Sequence, residues 1–184
     1  MNLLLHVCCG PCTVFPLVVL REQGHSVRGY FYNPNIHPYQ EFARRLTTLR
    51  EFAAMEQLPL TVEEEYGLQE YLRRVVFQED GRCAACYAMR LERTARYAAE
   101  NHFEAFSSTL LYSRYQNHAL LRVTGEQLAN RYGVAFYYED FRRGWQEGID
   151  RSRALGLYRQ PYCGCIYSEQ ERYDPSKRKK KEHN

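Results

Sequence analysis

Short apolar runs alternate along this chain with longer stretches in which apolar residues recur every three or four positions. Leu3-Leu4-Leu5-His6-Val7 is mostly apolar and is closed by Gly10-Pro11, which predicts a buried strand. Thr13 to Gln23 is apolar at helical spacing, accommodates Pro16 in its first turn and stops at Gly24. Ser26 to Tyr32 alternates and runs into Asn33-Pro34-Asn35, a second strand and a turn. Helical spacing returns over Pro38 to Gln57, over residues 66–77, and over Cys83 to Asn101, with Leu60 to Glu64 as a short third strand. Phe103 to Ser108 predicts a fourth strand, Gln116 to Tyr132 a helix stopped by Gly133, and Val134 to Tyr138 a fifth strand. Trp145 to Leu155 completes the pattern as a helix before Gly156. Such alternation predicts an α/β fold, a parallel β-sheet flanked by helices. Ligands bind such folds beyond the carboxyl ends of the strands. Cys8 to Cys12, Asn33 to Asn35, Ser107 to Tyr115 and Asp140 to Arg142 each follow a strand, so one shared rim is expected.

Composition narrows the class. A chain of 184 residues suits one α/β domain, expected over 1–176. No basic segment leads into a long apolar stretch at the N-terminus, and no run approaches a membrane span, so a soluble cytoplasmic protein is expected, with no membrane partner. Of the formal charge of +3, Lys177, Arg178, Lys179, Lys180 and Lys181 with Glu182 carry +4, leaving −1 for residues 1–176. The basic segment 177–184 is expected to be a disordered tail that could add salt-dependent affinity for nucleic acid. The body carries arginine alone as its strong cation. Base composition of the genome explains that economically, while arginine also suits bidentate phosphate recognition.

Cysteine changes the picture most. Seven is an odd number, and the residues fall into three clusters: Cys8, Cys9 and Cys12; Cys83 and Cys86; Cys163 and Cys165. In a reducing compartment such clusters are more often metal ligands or redox groups than staples. Those of Cys8-Cys9-Gly10-Pro11-Cys12 lie on a strand-to-helix turn, where free N–H groups and the helix dipole favour a thiolate. Cys9-Gly10-Pro11-Cys12 matches the thioredoxin dithiol, but it follows the first strand and leaves five cysteines without a role. Cys83-Ala84-Ala85-Cys86 is a second chelating pair, and two pairs could hold a zinc ion. Adjacent Cys8 and Cys9 point differently, which suits an iron–sulfur cluster with several metal corners better than one closed ion. Cys163-Gly164-Cys165 can close only a small, strained ring, a poor staple and a good two-electron store; a second metal site is the alternative. Among the polar residues, His6 reads as a satisfied core histidine, His37 and His118 as loop residues, and rim tyrosines as surfaces on which a base can stack.

Taken in order, HVCCGPC (6–12), FYNPNIHP (31–38), CAACYAMRLERTA (83–95), STLLYSRYQNH (108–118), YEDFRRG (138–144) and LYRQPYCGC followed by Ile166, Tyr167 and Ser168 resemble the QueH type of epoxyqueuosine reductase. The resemblance implies an adenine-nucleotide α-hydrolase-like fold. It also implies an oxidoreductase that reduces epoxyqueuosine at the tRNA wobble position to queuosine without cobalamin or ATP. It further implies a 4Fe–4S cluster on Cys8, Cys9, Cys83 and Cys86, with Cys163 and Cys165 as the redox-active dithiol fed by an electron donor. An additional iron ligated by cysteines and an aspartate is associated with the family, and Cys12 and Asp140 are the candidates here.

Removing an epoxide oxygen as water takes two electrons and two protons, which a dithiol can hold. An iron with an open position can polarise the oxygen, and Asp140 or a tyrosine can deliver a proton. Tyr112, Arg114, Tyr115, Arg142, Arg143 and Arg159 are the candidates for tRNA contact. Three other functions remain open: an ATP-dependent tRNA sulfur-transfer enzyme, a zinc module that binds RNA, and a general dithiol oxidoreductase.

Overall fold

The computed structural model describes residues 1–177, so the basic segment, apart from Lys177, lies outside the described residues. Five strands form one parallel sheet: β1 (Asn2–His6), β2 (Ser26–Phe31), β3 (Leu60–Val62), β4 (Ala105–Ser108) and β5 (Ala135–Phe136). Their order is β3-β2-β1-β4-β5, with Leu5 opposite Gly29 on one side and Ser107 on the other. Seven α-helices accompany them among the described residues: α1 (Gly10–Glu22), α2 (Tyr39–Met55), α3 (Leu68–Val75), α4 (Arg82–Glu100), α5 (His118–Tyr132), α6 (Trp145–Ala154) and α7 (Ile166–Tyr173). None is long and apolar enough to cross a membrane.

The central strand explains the apolar run at the start. Leu3, Leu4 and Leu5 are all fully buried, because a central parallel strand is covered by helices on both faces and has no solvent side. The chain steps outward from β1 through β2 to β3, then returns to place β4 on the other flank of β1. The strand order therefore reverses between β1 and β4, and the loops after these two strands open the crevice in which such sheets bind ligands.

Two expectations change. Helix α1 begins at Gly10, three residues earlier than the apolar spacing predicts, so Pro16 lies inside the helix and not in its first turn. The early start uses Pro11 at the first helical turn, where its missing N–H is no loss, and leaves the Cys12 carbonyl without its usual partner from residue 16. Helix α7 was not legible at all: Ile166 to Tyr173 buries no residue, so it carries no apolar stripe. Its signal is local, an N-cap at Cys165, whose Sγ lies 3.4 Å from the Ser168 N–H.

Candidate active site and metal centre

The turn after β1 delivers three thiols to one point. Cys9 occupies the N-cap of α1 and Cys12 its first turn, and the sulfurs of Cys8, Cys9 and Cys12 all lie within 4.8 Å of one another, buried. Gly10 permits this, since a Cβ there would come 3.2 Å from the Thr48 carbonyl of α2. From the loop after β4, Thr109 Oγ1 accepts from the Cys8 N–H at 3.2 Å and lies 3.5 Å from its Sγ. Gln160 Nε2 donates to Cys12 Sγ at 3.1 Å. Hydrogen bonds from Cys12 and Cys9 hold the Cys8 thiol well below its usual range. Cys9 is pushed up, first by burial, and Cys12 is pushed up, first by its bond to Cys8. The donor set suits a thiophilic metal: three soft ligands, already converged, one of them readily ionised.

A second set of cysteines comes from α4 and from the segment before α7. One turn of α4 separates Cys83, exposed, from Cys86, which packs with Tyr71, Val75, Met89 and Cys165. Burial raises the Cys86 thiol to about 12. Cys163 and Cys165 are both unbridged, the first open to solvent and the second buried. Their segment is tied to the loop after β2 and to α2. Arg45 donates to the carbonyls of Cys163 and Tyr162 at 2.8 and 2.9 Å, and the Gly164 carbonyl accepts from the His37 N–H at 2.8 Å. Gly164 itself has φ of +151°, which a side chain tolerates poorly. Gln116 Nε2 donates to Cys163 Sγ at 3.3 Å.

Between the two sulfur groups opens a cavity of about 550 Å³, lined by Cys8, Cys12 and Cys163 and walled by Tyr112, Trp145 and Arg159 among others. Tyr115 also lines it and is 84% exposed, its ring edge-on to Trp145 at 5.7 Å, while the Arg114 guanidinium lies 5.7 Å over the Trp145 ring. Gly148 of α6 makes room for Tyr112, whose hydroxyl a Cβ would meet at 2.3 Å.

Other expected site residues go elsewhere. Asp140 and Arg142 follow β5 but do not line the cavity; Asp140 caps a 3-10 turn (Phe141–Gly144) and is paired with Arg142 at 2.5 Å. Arg142 holds that carboxyl low, at about 2. Arg143 pairs with Glu139 at 3.2 Å. His37 and His118 are buried, not free loop residues: His37 Nε2 lies 2.9 Å from the Pro34 carbonyl oxygen, and His118 begins α5. His6 is a core histidine, with Nδ1 2.9 Å from Ser108 Oγ and, first through burial, a pKa down at about 3.

Five residues at the site escaped the sequence reading: Arg45, Arg90, Gln116, Trp145 and Gln160. Trp145 had a signal, being the chain's one tryptophan and placed directly after the fifth βα turn. The others are polar residues in helical or loop stretches rich in their kind.

Relatives are found both in structure and in sequence. A solved structure described as the predicted subunit of tRNA methyltransferase from Methanocaldococcus jannaschii superposes with a TM-score of 0.56 at 12% identity, covering 83% of this chain and 76% of that one. That likeness shows the fold alone, and it agrees with a parallel sheet flanked by helices. In sequence, proteins named epoxyqueuosine reductase QueH match throughout: one from Dehalococcoides mccartyi is 44% identical over 172 residues, 94% of each chain. Another, from Thermotoga maritima, is 35% identical over 181 residues, covering 93% of this chain and 92% of that one. With the family model for epoxyqueuosine reductase QueH matching residues 3–171, a span that takes in all seven cysteines, the chain belongs to the QueH family.

Proposed function

We propose that this protein reduces epoxyqueuosine in tRNA to queuosine, in the cavity between its two sulfur groups, with Cys163 and Cys165 as the two-electron store. One observation carries the reading: Cys8, Cys12 and Cys163, distant in sequence, line a single cavity large enough for a modified base. Oxidation of the two thiols to a disulfide releases two electrons and two protons. The epoxide oxygen leaves as water on taking up two electrons and two protons, so atoms and charge balance without a further acid. An electron donor then returns the disulfide to the dithiol.

The chain's own residues supply the rest. Cys163 faces the cavity and is the thiol that reacts first, helped by the Gln116 amide beside its sulfur. Cys165, buried behind it at the start of α7, is the resolving partner. Proton delivery falls to the dithiol, since Asp140 is held ionised by Arg142 and the Tyr112 hydroxyl donates to the Trp145 carbonyl at 2.9 Å.

The triad of Cys8, Cys9 and Cys12, with Cys83 and Cys86, holds the cofactor in this reading, a 4Fe–4S cluster with an additional iron. When bound, that centre supplies single-electron transfer and a Lewis acid for the epoxide oxygen. At the mouth, Tyr115 offers an exposed face for a neighbouring base, and Arg114 and Arg159 offer charge to phosphate.

The test is anaerobic purification with iron and sulfide quantification, then incubation with epoxyqueuosine-bearing RNA. Cys163→Ser should abolish turnover while keeping the cluster chromophore. Repeated turnover by that variant would remove the dithiol from the mechanism, and zinc in place of iron would refute the cofactor.

A further inference from the structure

Among the described residues two arginines are almost completely buried, and they are neutralised differently. Arg45, 1% exposed, has a carboxylate: its Nε bonds Glu41 Oε1 at 2.6 Å. Arg90, 2% exposed on α4, has none among the described residues. Its Nη2 donates to Asn33 Oδ1 at 2.7 Å, its Nε lies 3.4 Å from His6 Nε2, and its Nη1 lies 3.8 Å from Cys86 Sγ. Asn33 is neutral and spends its amide on the Val7 carbonyl at 2.9 Å. His6 carries no negative charge in any state. A guanidinium sealed from water without a counter-charge costs several kcal/mol, on the order of that for any buried ion. The soft group against it is sulfur, Cys86 Sγ beside Nη1, and Arg90 lines the cavity together with Cys8 and Cys163.

We propose that Arg90 is the fixed counter-charge of the sulfur centre: anionic cysteine sulfur gathered around a bound iron cofactor neutralises its guanidinium, which in turn makes that cofactor easier to reduce. The proposal rests on the iron–sulfur reading above and adds a residue to it. An electron entering the centre makes it one charge more negative, and a cation held at fixed distance favours the reduced state without moving a proton. The position is built in, because Asn33 anchors the guanidinium to the end of β1 and α4 carries Cys86 one turn before Arg90. Arg90 is thus a positioning and tuning residue and does not touch substrate in this account.

The test compares anaerobically reconstituted wild type, Arg90→Met and Arg90→Lys. Iron and sulfide per chain are measured first, then the midpoint potential of the visible chromophore in a dithionite titration. Arg90→Met should shift the potential negative, with Arg90→Lys closer to wild type. If Arg90→Met fails to load iron, Arg90→Lys should still load it. In metal-free protein, Arg90→Met should be at least as stable to urea as wild type, since an uncompensated buried charge has been removed. An unchanged potential in fully loaded Arg90→Met overturns the proposal, as does equal loss of iron from both variants. A wild type that binds neither iron nor sulfide refutes the cofactor reading itself, a separate result.

Discussion

Arg45 shows what a single buried residue does for the site. It is held by Glu41, which also accepts from the Tyr158 hydroxyl at 2.7 Å, and its remaining donors fix the backbone of Tyr162 and Cys163. Replacing it with methionine leaves Glu41 buried without its partner, and Arg45→Met should cost about 3–5 kcal/mol in urea unfolding. Most of that loss should return in the double variant Glu41→Gln/Arg45→Met, because no lone charge then remains. Cysteines are legible in a sequence because they are rare and their spacing restricts what they can do. Arg45 and Arg90 are not, since nothing in the one-dimensional pattern separates them from the arginines that face water.

The helices and strands were largely legible, and for a physical reason. Each strand of the sheet begins within two residues of its expected start, and five helices carry their burial at the spacing that the sequence shows. What the pattern missed were joints. The 3-10 turns at Thr109–Tyr112 and Phe141–Gly144 depend on caps by Ser108 and Asp140 and on close packing, not on periodicity. Gly144 is such a joint: a Cβ there would meet Phe15 of α1 at 2.1 Å. Gly144→Ala should therefore destabilise by about 1–3 kcal/mol through overpacking, read as a lower urea midpoint. Phe15→Leu in the same chain should recover part of the loss, since it clears the space that the methyl group needs.

For the whole molecule, the consequence of the strand order is convergence. The turns after β1 and β4 meet at the reversal point, α4 contributes Arg90 to the cavity lining, and the Cys163 segment is held beside it by contacts to α2. A centre tied to so many elements should stabilise all of them together. Protein loaded with iron and sulfide should melt at a higher temperature than stripped protein, in a single transition, because the cofactor binds the folded state alone. RNA affinity should follow the exposed rim. Tyr115→Ala should lose about 1–3 kcal/mol of binding, the worth of one stacked base, with fold and metal content unchanged.

The sequence by itself determined the α/β class, the strand-to-helix turn that bears Cys8, Cys9 and Cys12, the rim on which it lies, and the sulfur chemistry to expect there. These follow from local rules: apolar spacing sets the elements, and residue type sets the reactivity. Only the tertiary structure decided which thiols meet, that Asp140 pairs with Arg142 and does not line the cavity, and that Arg90 lies against Cys86 with no carboxylate partner among the described residues. Those outcomes depend on packing between segments far apart in the chain, 101 positions for Cys8 and Thr109 and 148 for Cys12 and Gln160, and no local pattern along the chain encodes them.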